Sequence, residues 1–243
     1  MFDVNKIPVS ERVHITKNLL RYGIAIDQEN GKIDYIPGTT VPEVRCQSIH
    51  LIRHAETVAV AKHEFMCDTS DNCGFTENGI EITKKQAAEL DAYDFDIALY
   101  GPIPRVVNTQ LIIMERPQKF EAIKCHKLHG IDNTGWEYKS FEELCDTPTF
   151  IARELENNMF ARTPSGTSWG MVIANCVDVI DIINEQHAGK KILLISQGSV
   201  LRAFQILLRK RKHPWDDFTV EGMYHVGDDT NKKKNYGIID KVY

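Results

Sequence analysis

Cysteine is sparse in this sequence and follows no metal-binding or redox pattern. The six cysteines stand at positions 46, 67, 73, 125, 145 and 176, and none forms a CxxC pair. Scattered single cysteines read as small buried hydrophobes, which fits the cytoplasm as the expected compartment. Positive charge is not in surplus either. The net charge of −5 argues against a general nucleic-acid binder, so any phosphate site must be a local concentration of arginine. No apolar run approaches the ~18 residues of a membrane span, and no membrane partner is expected. The opening Met-Phe-Asp-Val-Asn-Lys has no basic region followed by an apolar core, so no signal peptide is expected. Internal repeats and long low-complexity linkers are missing too. What is present is 42% apolar and 26% charged residues over 243 positions. That is the composition of a soluble globular chain, long enough for one domain with added segments.

Along the chain, strand-like and helix-like stretches alternate. Residues 22–36 read as a hairpin, because alternating runs flank Asn30-Gly31, two residues that tolerate positive φ. Ser48 to Ile52, Ile97 to Tyr100 and Lys191 to Ser196 are short, mostly apolar runs suited to central strands. Thr76 to Leu90 opens on a capping residue and continues with helical spacing. Arg105 to Met114, Ser168 to Glu185 and Val200 to Leu208 also read as helices. This order predicts an α/β fold, a three-layer α/β/α arrangement around a mostly parallel sheet. Function then sits at the carboxyl ends of the strands. Phe218 to Val226 and Tyr236 to Val242 predict a C-terminal β extension. Residues 1–45 are expected as an N-terminal extension carrying the hairpin, covering the site or forming a subunit contact, which leaves a homodimer open. Residues 46–243 form the main domain.

One strand end carries the strongest signal. Residues 49–57 read Ile-His-Leu-Ile-Arg-His-Ala-Glu-Thr. A phosphate dianion calls for rigid multivalent cations, and the planar fork of arginine matches phosphate oxygens. An imidazole at a strand end can attack phosphorus when its other nitrogen is held by a backbone carbonyl. Arg53 is therefore a candidate phosphate binder and His54 a candidate nucleophile. The stretch resembles the Leu-x-Arg-His-Gly-Glu-Thr signature of the histidine phosphatase superfamily, the phosphoglycerate mutase-like family. Further segments are similar to that family's motifs in the same order. Gly74-Phe75-Thr76-Glu77-Asn78-Gly79 resembles its Leu-Thr-x-x-Gly helix start. Tyr100 to Thr109 resembles Ser-Ser-Pro-Leu-x-Arg-Ala-x-Gln-Thr, which places Arg105 on the second phosphate-binding arginine. Trp136 to Leu144 resembles the Trp-Glu-Gly segment, and Gly166-Thr167-Ser168 loosely resembles Gly-Glu-Ser. Ser196 to Arg202 resembles Ser-His-Gly-x-x-x-Arg.

The last match breaks at its catalytic residue. Gln197 stands where the family carries a second histidine, and Gly130 stands where it often carries an acidic residue. Ala55 replaces the usual glycine. Gln197 donates a hydrogen bond but no charge, and charge-assisted bonds are roughly twice as strong as neutral ones. Asp132 and His129 are the nearest substitutes for the missing acid. Three explanations are open: a natural enzyme with rewired chemistry, a degenerate relative that binds without turnover, or an engineered Gln197. Two departures make engineering less attractive as the whole story.

The resemblance implies phosphoryl transfer through a phosphohistidine at His54, phosphatase ahead of mutase, on a small phosphorylated metabolite. The expected catalytic residues are His54, Arg53, Arg105, Gln197 and Asp132. Glu56, Thr57, His129, Gly198 and Ser199 are expected to bind substrate. No metal or cofactor is expected, since Cys125-His126-x-x-His129 lacks zinc-ligand spacing. The rivals are a phosphate-ligand binding or regulatory protein, and an enzyme of different chemistry that uses the arginines as an anchor. The Arg209–His213 run reads as a solvated helix end, the Lys232–Lys234 run as a solvated loop, and Trp136 and Trp169 as site-mouth or core residues.

Overall fold

A computed structural model describes residues 2–67, 74–209 and 240–243. Helix α1 (Val9–Arg21) leads into a hairpin of β1 (Ile24–Ile26) and β2 (Ile33–Tyr35), paired antiparallel as the Asn30-Gly31 turn predicts. The main elements follow: β3 (Ser48–Arg53), α2 (Val58–Ala61), α3 (Glu77–Glu89), β4 (Ile97–Tyr100), α4 (Pro104–Met114) and β5 (Glu121–Lys124). Next come the short helices α5 (Phe141–Leu144) and α6 (Pro148–Phe150), then a π turn at Ile151–Leu155. Helix α7 (Trp169–Gln186), β6 (Lys191–Ser196), α8 (Gly198–Leu207) and β7 (Asp240–Lys241) complete the described chain.

The central sheet runs β5-β4-β6-β3-β7. Its first four strands are parallel, and β7 joins antiparallel beside β3. The two-residue period of a strand divides the core. Ile49, Leu51, Ile97, Leu99, Ile192 and Leu194 pack with α1, α7 and α8 on one face. Ile52, Ala98, Leu193 and Ile195 pack with Ala87 of α3 and Val106 and Ile113 of α4 on the other. Burial on both faces explains why β6 reads as an unbroken apolar run.

Four of the labelled helices, α1, α2, α5 and α6, go unpredicted by the sequence. The pattern of α1 is blurred by Val9, Val13 and Leu20, all at least half exposed, while Ile15 and Leu19 are buried. The α5 and α6 segments are too short for periodicity to declare itself. The expected solvated helix end needs correction at Arg209. Its guanidinium bonds the carbonyls of Tyr22 and Gly23 at 2.8 and 2.9 Å and stacks 3.6 Å from the centroid of Tyr35. That contact ties the end of α8 to the N-terminal segment, whose Val4, Ile7, Leu19 and Ile24 share the main apolar cluster. Trp136 and Trp169 are both buried. The expected strand at Phe218 to Val226 and the Lys232–Lys234 loop lie outside the described residues, as does Cys73.

Candidate active site

β3 and β6 run in parallel register, with Arg53 opposite Ser196. The His54 amide then donates to the Ser196 carbonyl at 2.8 Å. The two chain segments therefore leave the sheet side by side, bringing Arg53-His54 next to Gln197-Gly198. A Cβ at Gly198 would make only ordinary van der Waals contact with the Arg53 guanidinium carbon, at 3.7 Å, so the crossing itself does not require glycine.

The His54 ring is buried. Its Nδ1 lies 2.8 Å from the Ala55 carbonyl oxygen. A carbonyl only accepts, so Nδ1 carries the proton and the lone pair is left on Nε2. Burial holds the His54 pKa well below its ordinary value of 6.5, and the charges of Arg105 and Arg53 push it further down. The imidazole is thus neutral at pH 7, the state a nucleophile needs.

Arg105 occupies the first turn of α4 behind Pro104, where proline's missing N–H costs the helix nothing. Its side chain is buried, and Nη1 donates to the Cys67 carbonyl at 2.9 Å. Thr109, one turn on, donates to the Arg105 carbonyl at 2.7 Å and accepts from the Ala55 amide at 2.9 Å. A single hydroxyl thus couples the arginine's helix to the histidine's loop. The motif match includes Thr109 without giving it a role; its i, i+4 spacing from Arg105 is the signal that could have found it. The Ser196 and Cys67 carbonyls carry no side-chain signal and could not have been found.

Gln197 is the N-cap residue of α8 and is buried. A Cβ built on Gly130 would fall 1.4 Å from Gln197 Oε1, 2.5 Å from its Cδ and 2.5 Å from Ser199 Oγ. The Gln197 amide therefore fills the space a side chain at 130 would need. The two departures from the family pattern, separate losses in the sequence, are one contact in the fold. Ser199 is also buried, and its Oγ accepts from the Ile131 amide at 3.1 Å.

The remaining candidates hold the surrounding loops. Glu56 accepts from the Thr76 hydroxyl at 2.8 Å, and that same oxygen of Thr76 caps α3 by accepting from the Gly79 amide at 2.9 Å. Thr57 is fully buried and caps α2, accepting from the Val60 amide at 3.3 Å and donating to Met66 Sδ at 3.0 Å. Asp132 accepts from the Thr134 hydroxyl at 2.9 Å and the Thr134 amide at 3.1 Å. His129 Nδ1 lies 3.2 Å from the Gly130 carbonyl oxygen. These hydrogen bonds of Glu56, Thr57, Asp132 and His129 brace the loops around the site. The buried ion pair Arg153–Glu154, stacked on Trp136, has no counterpart among the sequence expectations.

None of the curated proteins compared matches the chain. Solved structures are similar in fold. A mutant phosphoserine phosphatase from Entamoeba histolytica, in complex with phosphoserine, aligns at 20% identity and a TM-score of 0.58, covering 74% of this chain and 86% of that one. An alpha-ribazole phosphatase from Shigella flexneri aligns at 20% identity and 0.57, covering 71% and 83%. A mycobacterial glucosyl-3-phosphoglycerate phosphatase aligns at 16% identity and 0.59, covering 69% and 82%. The sequence profile of the histidine phosphatase superfamily (branch 1) matches residues 49–222, spanning Arg53-His54, Arg105 and Gln197. With the fold, the motif order and this match in agreement, the chain belongs to the histidine phosphatase superfamily, branch 1.

Proposed function

We propose that the protein is a phosphoryl-transfer enzyme, a phosphatase rather than a mutase, acting on a small phosphorylated metabolite through His54. The observation that carries this reading is the state of His54: buried, neutral, held at Nδ1 by a carbonyl, with the charges of two arginines acting on it. In the proposed first step the Nε2 lone pair attacks phosphorus. The P–O bond to the leaving group breaks, and its electron pair stays on the leaving oxygen, which takes up a proton from solvent. The guanidinium groups of Arg53 and Arg105 balance the charge on the phosphoryl oxygens, and the Gln197 amide adds a neutral donor. In the second step water attacks phosphorus, the P–N bond breaks, and its pair returns to Nε2. Nδ1 keeps its proton throughout, so the imidazole leaves neutral, and the proton from water goes to solvent. Phosphatase is preferred because a mutase must hold the phosphohistidine against water. The similar structures whose names include phosphatase activities support the same choice. Scattered cysteines without a CxxC pair support the cytoplasm as the compartment.

The Gly130–Gln197 contact favours a second reading, binding without turnover, because it fills the space of one expected acid and leaves a neutral residue in place of a cation. Phosphate release across a panel of phosphoesters separates the two. The enzyme reading expects release that vanishes in His54→Ala and falls ~10²–10³-fold in Arg105→Ala, the usual cost of a lost electrostatic stabiliser. Tight binding of phosphoesters with no release from any of them would establish the second reading.

A further inference from the structure

Arg53, Arg105 and Gln197 share one property beside His54: none of them gives up a proton near neutral pH. His54 itself keeps its Nδ1 proton on the Ala55 carbonyl, 2.8 Å away. The facing loop adds nothing at Gly130, which has no side chain. The Gly130 backbone is not in the left-handed region, so it would admit one. What excludes a side chain there is the Gln197 amide, 1.4 Å from the position of a Cβ, and Ser199 Oγ at 2.5 Å. Ser199 is an alcohol, and its oxygen already accepts from the Ile131 amide. The ionisable neighbours are tied to their own loops. His129 Nδ1 lies 3.2 Å from the Gly130 carbonyl oxygen. The Thr134 hydroxyl lies 2.9 Å from both Asp132 oxygens, and the Thr134 amide donates to Oδ1 at 3.1 Å. Glu56 accepts from the Thr76 hydroxyl. The site is thus rich in positive charge and poor in transferable protons.

That imbalance selects the leaving group. Transfer of a phosphoryl group to His54 leaves an electron pair on the bridging oxygen. An alkoxide is a strong base and departs fast only when a positioned acid protonates it as the bond breaks. Such help is typically worth ~10²–10⁴ in rate. A carboxylate or a phosphate is a weak base and departs as the anion. We propose that the substrate is an anhydride of phosphoric acid, an acyl phosphate or a diphosphate, rather than an alkyl phosphate ester. This rests on the phosphoryl-transfer reading above. Nε2 bonds to phosphorus, the bond from phosphorus to the bridging oxygen breaks, and its pair stays on that oxygen. The oxygen leaves as part of a carboxylate or phosphate anion, with no proton required. Arg53 and Arg105 meet the negative charge of the phosphoryl oxygens. Water then releases phosphate from Nε2 as in the second step above.

The test uses the full chain and a matched pair of probes, acetyl phosphate and ethyl phosphate. They are nearly equal in size and differ in their leaving groups, acetate against ethoxide. Phosphate release is corrected for the rate without protein. In the wild type, kcat/KM for acetyl phosphate should exceed that for ethyl phosphate by ~10²–10⁴-fold or more, the worth of the missing proton donor. Phenyl phosphate, with a leaving group of intermediate basicity, should fall between. Inorganic pyrophosphate, run alongside, separates phosphate from carboxylate as the preferred leaving anion. In the double variant Gly130→Glu with Gln197→Ala, a carboxyl group enters the space the amide vacates. The ratio should then narrow by about tenfold or more, because only the alkyl ester gains from an acid. Should that variant fail to fold, the wild-type ratio still decides. A wild-type ratio within about tenfold overturns the inference, because a site without a proton donor cannot level the two leaving groups. Loss of ethyl phosphate turnover in His129→Gln or Asp132→Asn would then identify the acid. If the ratio is level but acetyl phosphate labels His54, only the leaving-group inference is lost. If neither probe releases phosphate and His54 takes no label, the phosphoryl-transfer reading falls with it.

Discussion

Gly130 and Gln197 occupy each other's space, so their effects should not add. Gly130→Ala puts a Cβ onto Gln197 Oε1 and forces a buried amide into another rotamer, at a cost of about 1–3 kcal/mol. Gln197→Ala vacates that space. In the double variant the alanine at 130 meets only the Ser199 hydroxyl, a terminal atom that can rotate away, and denaturant titration should show a coupling of about 1 kcal/mol or more. Additive stabilities would mean that the two side chains do not compete. Reactivity offers a separate test at the same position. Gln197→His restores a cation beside the phosphoryl group and should raise turnover of an aryl phosphate ~10²–10³-fold. An alkyl phosphate should gain less, because its leaving group still lacks the proton donor that is typically worth ~10²–10⁴. No gain for either substrate in a folded variant would show that the missing histidine does not limit the reaction. The sequence shows that both positions depart from the family pattern. That they touch is a tertiary fact, invisible in a sequence where the two residues stand 67 positions apart.

The elements that carry the site owe their placement to caps and registers more than to length. Thr76 both caps α3 and bonds Glu56 on the loop after His54. Thr76→Ala should therefore lower stability by about 1–2 kcal/mol, in the range of lost N-caps, seen as a lower thermal midpoint. A midpoint unchanged within error would show that the α3 cap contributes nothing. These caps were legible, because Thr76 and Ser168 are capping residues placed just ahead of helical periodicity. The three interior strands β3, β4 and β6 were legible for a related reason, since burial on both faces makes each a short apolar run. β5 was not: its Glu121-Ala122-Ile123-Lys124 is an exposed edge strand with no apolar run. The short helices α5 and α6 escaped because their burial depends on Trp136 and Phe65, contacts that no local pattern encodes.

At the scale of the whole molecule, acid should weaken the fold. The pKa values of His50, His54 and His187 are all lowered, in each case chiefly by burial. The unfolded chain binds protons at these sites from about pH 6.5 downward, whereas the folded chain resists them until lower pH. The unfolded state thus holds more protons in that window, and stability must fall as pH falls through it. Denaturant midpoints should drop between about pH 7.5 and pH 5.5, with a smaller drop in His54→Gln; an equal drop in that variant would remove His54 as a contributor. The same burial that creates this acid sensitivity keeps His54 neutral and nucleophilic at pH 7, and that is the central claim. Its most direct test is rapid acid-free quenching after brief mixing with a radiolabelled phosphoester, followed by mapping of the label. The account predicts acid-labile, base-stable label on His54, absent from His54→Ala. Label on another residue, or label that survives in His54→Ala, would contradict it.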